Sequence, residues 1–317
     1  MIGVKKMSAG NPENGENGRM ERQTLKQLES VRGVMMDSLM KNYIPFPFDK
    51  SITTAWTDTL KHGGETVIYT SFMYQLSSLF RAYESHLSTF ARMGGSSRLA
   101  SLGKFFIKPD RDDLKRGYTI LRNISALLKR SGIDHGYLYE DEPYSGGLLL
   151  ELGFLDDFWN YGSRVLKLFS DHGVRRIITV DPHTNNAMIR LKNHFNSDLQ
   201  VDNYLNIISR FEGRGNFVLH DPCLYTRYNT IGQRIRDISS AAGISLMEDR
   251  MVTSREYGTC CGGPLGPVNM ELSERIAEYR ASKLKSVSEN IMVACPLCYQ
   301  NLKPFAHNIT DIAEVIS

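Results

Sequence analysis

Apolar residues along this chain fall into two alternating patterns. Between residues 23 and 40, Leu25, Leu28, Val31, Met35 and Leu39 recur at three- and four-residue spacing, so this stretch predicts an amphipathic helix. The run YIPFPF (43–48) ends it. Beyond KHGG comes ETVIYTSF (65–72), a short β-branched and aromatic run bounded by glycines, which predicts a buried strand. A long, mostly helical stretch follows over 76–131, with a loop at ARMGGSSRLASLG, and HGYLYE (135–140) predicts the next strand. A helix over 155–172, with Phe158, Val165, Leu166 and Phe169 on one face, precedes the strand RRIITV and the turn DPHTNNAM. The remainder repeats the order: NFVLHDPC and GISLME as strands, CCGGPLG as a turn, a helix over 269–288, then NIMVACPLCYQNL as a strand running into a turn.

Strands alternating with helices predict parallel α/β sheets with sites at the carboxyl ends of the strands. The order is also duplicated. YSGG (144–147) lies over CCGG (260–263), and VDPHTNNAM (180–188) lies over ACPLCYQNL (294–302); 35 residues separate Ser145 from Asp181 and 33 separate Cys261 from Cys295. In that overlay Tyr144, Ser145, Asp181 and Thr184 occupy the positions of Cys260, Cys261, Cys295 and Cys298, and Phe72 loosely faces Cys223. The predicted fold is a tandem duplicated, Rossmann-like pair of parallel-sheet domains with a helical N-terminal arm. The expected divisions are 1–20 as a disordered lead-in, 21–62 as the helical arm, 63–211 as a first domain without cysteines and 212–317 as a second domain that carries all of them.

Composition adds limits. In 317 residues, 38 Lys+Arg against 35 Asp+Glu is too small a surplus to argue for nucleic acid, and no apolar run reaches the length of a membrane span or of a signal-peptide core. A cytoplasmic protein is expected, where thiols stay reduced and patterned cysteines more often bind metal or do redox chemistry than form bridges.

The five cysteines form one array. Cys223 is followed after 36 residues by Cys260-Cys261, and after 33 more by Cys295-Pro296-Leu297-Cys298, each at a turn beside a strand or helix end. A lone cysteine is usually a small buried hydrophobe, but five placed in this way ask for a common ligand. A closed zinc site takes four ligands in a tetrahedron, which this set over-supplies. An iron–sulfur cluster offers several irons, so neighbouring sulfurs can each find one. Gly262 and Gly263 would leave room for backbone to approach inorganic sulfide.

HDPC, CCGGP and CPLC together resemble the cysteine-rich CCG domain of heterodisulfide reductase catalytic subunits and of glycolate and lactate oxidase iron–sulfur subunits, over about residues 64–317 with a degenerate first copy. The resemblance implies a [4Fe-4S] cluster, in some members non-cubane, held by Cys223, Cys260, Cys261, Cys295 and Cys298. It implies an oxidoreductase subunit of a cytoplasmic, heterodisulfide reductase-like complex that passes electrons through one cluster to or from a thiol, disulfide or quinone acceptor. The expected partner is a flavin- or iron–sulfur-bearing redox subunit, peripheral to a membrane complex in some arrangements, with no nucleic acid. Paired-cluster chemistry is not expected, because the first copy lacks thiols, and the ferredoxin-like cysteine run of many relatives is absent from the sequence. The alternative is a non-catalytic assembly subunit whose cysteines bind zinc or a structural cluster.

Other residues offer weaker signals. His220 and Asp221 could tune a cluster by hydrogen bonding. Asp181 and His183 could form a metal site with His172 or His135, Arg227 and Tyr228 could face a substrate or partner, and Gly146-Gly147 could cradle phosphate. Tyr144 and Asp181 are expected to line the opposite wall of the cluster cleft.

Overall fold

The computed structural model describes residues 16–79, 109–253 and 255–317; the loop read at ARMGGSSRLASLG lies outside them. Helix α1 (Glu16–Asn42) buries Val31, Met35 and Leu39 of the predicted stripe, while Leu28 is half-buried and Leu25, nearer the start of the helix, is exposed. A one-turn helix α2 (Ser51–Thr54) leads to strand β1 (Thr66–Tyr69), and among the described residues the next long helix is α3 (Arg111–Arg130). Asp110 caps α3 by accepting from the backbone N–H groups of Asp112 and Asp113, and Ile120, Leu121, Ile124, Leu127 and Leu128 form its buried face. The first half continues with α4 (Gly147–Glu151), α5 (Leu155–Asp171), β2 (Arg176–Thr179), α6 (Pro182–Phe195), β3 (Gln200–Asn203) and α7 (Tyr204–Ile207).

The second half holds β4 (Gly215–Leu219), α8 (Cys223–Arg227), α9 (Gly232–Ala242), β5 (Ile244–Met247), α10 (Met270–Lys285), β6 (Asn290–Val293), α11 (Pro296–Leu302), β7 (Asn308–Asp311) and α12 (Ile312–Val315). The strands form two wholly parallel sheets, in the orders β1-β2-β3 and β5-β4-β6-β7. Such sheets are covered on both faces, which is why their strands read as short continuous apolar runs rather than alternating ones. HGYLYE is not a strand: residues 136 and 137 make isolated parallel bridges to Val67 and His62, and a 3-10 turn over Tyr139–Asp141 then ends the extended path. The bridge beside β1 nevertheless occupies the place that β5 takes beside β4, so the two halves share one strand order.

Local geometry repeats as well. Gly146 (φ 79°) and Gly262 (φ 84°) both adopt the left-handed conformation after the paired residues Tyr144-Ser145 and Cys260-Cys261. Asp181 and Cys295 each cap a helix that begins with proline, and each accepts hydrogen bonds from that helix's first turn. Asn203 and Asp311 cap the short helices that follow the last strand of each half. One apolar cluster runs through both halves, joining Ile68, Ile178 and Tyr204 to Leu219, Tyr225, Met292 and Ile312. Polar ties reinforce it: the Tyr74 hydroxyl donates to Asp311 at 2.9 Å, and Asn203 donates to the Tyr225 hydroxyl at 2.8 Å. Among the described residues, no helix is long and apolar enough to cross a membrane.

A buried acid sets a test of this core. Burial pushes the Glu142 carboxyl up to about 8, against a hydrogen bond that the Thr70 hydroxyl donates to it. Its unfolded value lies near 4.5, so the proton it keeps on folding contributes stability fully below that pH and loses it as pH climbs to about 8. Glu142→Gln is expected to flatten this fall, which amounts to about 1.4 kcal/mol per pH unit inside the window. Anaerobic urea unfolding at the two ends of the window checks it. Equal pH slopes for wild type and variant would show that Glu142 carries no such proton.

Candidate metal centre

In the second sheet, two adjacent strands each lead into a cysteine. From β4 the chain passes through His220, Asp221 and Pro222 to Cys223 at the first residue of α8; from β6 it passes through Ala294 to Cys295 at the cap of α11. The Cys295 sulfur accepts the Cys298 backbone N–H at 3.4 Å. Cys260 and Cys261 enter from the loop ahead of α10, and their sulfurs accept the backbone N–H groups of Gly262 (3.3 Å) and Gly263 (3.4 Å). Cys223 and Cys260 sulfurs stand 4.0 Å apart. Cys261, Cys295 and Cys298 are buried, whereas Cys223 and Cys260 are partly open, and all five are free thiols lining one cleft of about 450 Å³.

The neighbouring glycines have a more local cause than close approach to sulfide. A Cβ at Gly262, besides requiring a left-handed side-chain-bearing residue, would stand 2.8 Å from the Ser273 carbonyl of α10. At Gly263 it would meet the Cys261 sulfur at 3.5 Å, an ordinary contact. The turn is therefore shaped by its packing on α10, and the amide pair it presents to sulfur follows from that shape.

The opposite wall of the cleft comes from the first half, as expected, but through other residues. Leu150, Glu151, Leu155, Pro182, His183, Asn186 and Arg190 line it. Tyr144 and Asp181 do not: Tyr144 is packed with Phe72 in the core under α5, and Asp181 Oδ1 accepts the N–H groups of His183 and Thr184 while Oδ2 is buried with no hydrogen-bond partner among the described residues. The positions matching the ligands are sealed, and the cleft is faced one residue to one turn further along. His183 places Nε2 3.3 Å from the Cys295 sulfur while Nδ1 meets the Glu151 carboxylate. Asp181 and His183 form no metal site with His135 or His172, since His135 is held by Ser125 and the Ile133 carbonyl and His172 lies on the surface beside Asp141. Gly146 packs against the Tyr161 and Phe158 rings, which leaves no cradle for phosphate.

Arg227 and Tyr228 do face the cleft. Arg227 donates to the carbonyls of Glu256 and Gly258 and so pins the cysteine loop, while the exposed Tyr228 ring sits under the Arg190 guanidinium, 5.8 Å away. Asp221 is turned away, gripped at both oxygens by Arg236 (2.8 and 2.9 Å). Behind the sulfurs, His220 Nε2 and Arg280 Nη2 are buried with no hydrogen-bond partner among the described residues. Arg280 lies on the same stripe of α10 as Ser273, Ala277, Ala281 and Leu284, where a charge is out of place, and that spacing is the signal by which the sequence could have shown it.

Protons are unevenly held across the array. Hydrogen bonds from Cys223 and Cys261 lower Cys260 below the usual thiol range, and burial of Cys295 is outweighed by Cys298 and His183, which lower it as well. Burial opposes charge on His183, but Glu151 and Cys295 outweigh it and raise its value. His220 is pushed down to about 3 by burial and by Arg280. Five thiols around one opening, three of them receiving backbone N–H groups, with unpartnered buried donors behind, fit a sulfur-rich cluster of several metal ions.

A cysteine-rich metal-binding domain in a parallel α/β fold is what this half of the chain defines. Residues 217–303 match the family model described as the cysteine-rich domain, CCG, and the second half carries that domain. The chain is similar to the "EtfAB:quinone oxidoreductase" of Syntrophomonas wolfei, 27% identical over 54% of this chain and 27% of that protein. It is also similar to the "Probable membrane-anchored ferredoxin" of Chromohalobacter salexigens (27% identical, 64% of this chain, 34% of that protein). A third relative is the "Probable iron-sulfur-binding oxidoreductase FadF" of Bacillus subtilis (27% identical, 58% and 28%). The chain spans about a quarter to a third of the length of these relatives.

Proposed function

We propose that this chain is an electron-transfer subunit that holds one iron–sulfur cluster of the [4Fe-4S] class, cubane or non-cubane, on Cys223, Cys260, Cys261, Cys295 and Cys298. The observation that carries the reading is the convergence of all five thiols on a single cleft whose other wall comes from the half that has none. The names of the relatives, "EtfAB:quinone oxidoreductase" and "Probable iron-sulfur-binding oxidoreductase FadF" among them, support a redox partner and a quinone acceptor; a flavin- or cluster-bearing donor and a thiol or disulfide acceptor belong to the same proposal on the strength of the cysteine pattern alone.

When bound, the cluster supplies one-electron transfer. The chain's own residues do the rest. The N–H groups of Gly262, Gly263 and Cys298 fix the directions of three sulfurs, and Arg227 holds the loop that delivers two of them. His183 closes the Cys295 side from the facing half. The partly open Cys223 and Cys260 mark the edge nearest solvent, so an acceptor enters past Arg190, Arg227 and Tyr228.

Anaerobic purification followed by iron, sulfide and zinc analysis tests the reading. The expected result is a brown, air-bleached protein with about four iron and about four sulfide per chain, and an EPR signal in one oxidation state. Stoichiometric zinc without sulfide would overturn it in favour of a structural zinc subunit.

A further inference from the structure

Beneath the thiols lies a two-residue device that neither the domain family nor the ligand set accounts for. Arg280 projects from α10 into the interior of the second half and is 2% exposed. Its Nη1 donates to the Val252 carbonyl at 2.6 Å, its Nε donates to His220 Nδ1 at 3.1 Å, and its Nη2 has no partner among the described residues. Among the described residues no carboxylate pairs with it, and Asp221, the acid that acts on it, is held at both oxygens by Arg236. A buried cation left in this way is costly unless a negative charge stands near it, and the groups placed to act on it besides Asp221 are the sulfurs of Cys298, Cys261 and Cys260, which are thiolates once they ligate a metal.

Arg280 also decides what His220 can be. A guanidinium keeps all its protons and only donates, so Nδ1 of His220 must accept and the ring proton must sit on Nε2. That atom is the buried, unpartnered one, and His220 offers a ring nitrogen within 4.8 Å of the sulfurs of both Cys261 and Cys298. On distance alone these three residues could share a single metal ion. The tautomer argues against it, since a protonated Nε2 has no lone pair to give.

We infer that Arg280 and His220 form a fixed electropositive floor for the cluster: Arg280 serves as its buried counter-charge, and His220, locked by Arg280, points an N–H at sulfur on the Cys261–Cys298 edge as a positioning residue and not as a ligand. This rests on the cluster proposed above. Reduction adds negative charge over the floor, so the pair favours the reduced state.

The test uses the anaerobically purified chain and three variants: His220→Leu, His220→Gln and Arg280→Met. Iron and sulfide content is read first and midpoint potential second, with pulsed EPR in deuterated buffer and on 15N-histidine-labelled protein third. A wild type without iron and sulfide removes the cluster reading itself, and this inference with it. With a loaded wild type, the inference expects a potential shifted negative in His220→Leu, shifted back toward wild type by the amide N–H of His220→Gln, and shifted negative in Arg280→Met. An exchangeable proton coupling present in wild type should vanish in His220→Leu. Loaded His220→Leu with the wild-type potential, or a strongly coupled histidine nitrogen that marks direct ligation, would overturn it. Should Arg280→Met fail to fold, the two His220 variants still decide.

Discussion

Cys261→Ser and Cys295→Ser are each expected to strip most of the iron and sulfide from the protein, whereas Ser145→Ala, at the position matching Cys261 in the first half, should leave both unchanged. A hydroxyl is a poor substitute for a soft thiolate toward iron, and Cys261 and Cys295 are buried at the back of the cleft. Each sulfur also takes a backbone N–H, a role that a serine hydroxyl can keep, so the loss expected is of metal and not of the turn. Ser145, by contrast, accepts only the Gly147 N–H at 3.3 Å, a bond contributing about 0.5–1.5 kcal/mol. Iron and sulfide analysis beside a urea titration separates these outcomes. Equal loss of iron from Ser145→Ala and Cys261→Ser would end the assignment of the cluster to the second half alone.

The duplicated frame behind that proposal was legible in the sequence because it depends on spacing, and spacing survives folding. The overlay of YSGG on CCGG and of DPHT on CPLC returns as matching left-handed glycines and matching helix caps at Asp181 and Cys295. What did not survive was the step from register to orientation. A residue can occupy a ligand's place in the chain and still spend its side chain inward: Asp181 on the first turn of α6, and Tyr144 through a hydroxyl that accepts the Leu148 N–H. Strands β3 and β7 were missed because QVDN and NITD are four-residue edges, half buried, with no run of apolar residues to announce them. HGYLYE carries strand chemistry but turns at Tyr139, whose φ of 51° no strand tolerates. The charge on α10 was hidden by the habit of reading arginine as surface. The buried stripe of that helix could have exposed it.

The half without thiols should be felt in the redox potential through His183. Both of its ring nitrogens meet acceptors, the Glu151 carboxylate and the Cys295 sulfur, an arrangement that only the doubly protonated ring satisfies, in keeping with its raised value. An N–H aimed at a ligand sulfur stabilises the more negative, reduced state. A hydrogen bond to a charged group contributes roughly 1.5–3 kcal/mol, and a one-electron shift of 59 mV corresponds to about 1.4 kcal/mol, so the whole bond would move the potential by roughly 60–130 mV. Only the part that strengthens on reduction counts, which leaves a fall on the order of tens of mV in His183→Leu. His183→Gln, which keeps one N–H donor, should recover part of it, and Tyr144→Phe, sealed away from the cleft, should leave the potential where it was. Redox titration of the three loaded variants reads this directly. If His183→Leu keeps a full cluster at the wild-type potential, the first half is scaffold, and the closeness of its imidazole to Cys295 has no electronic consequence.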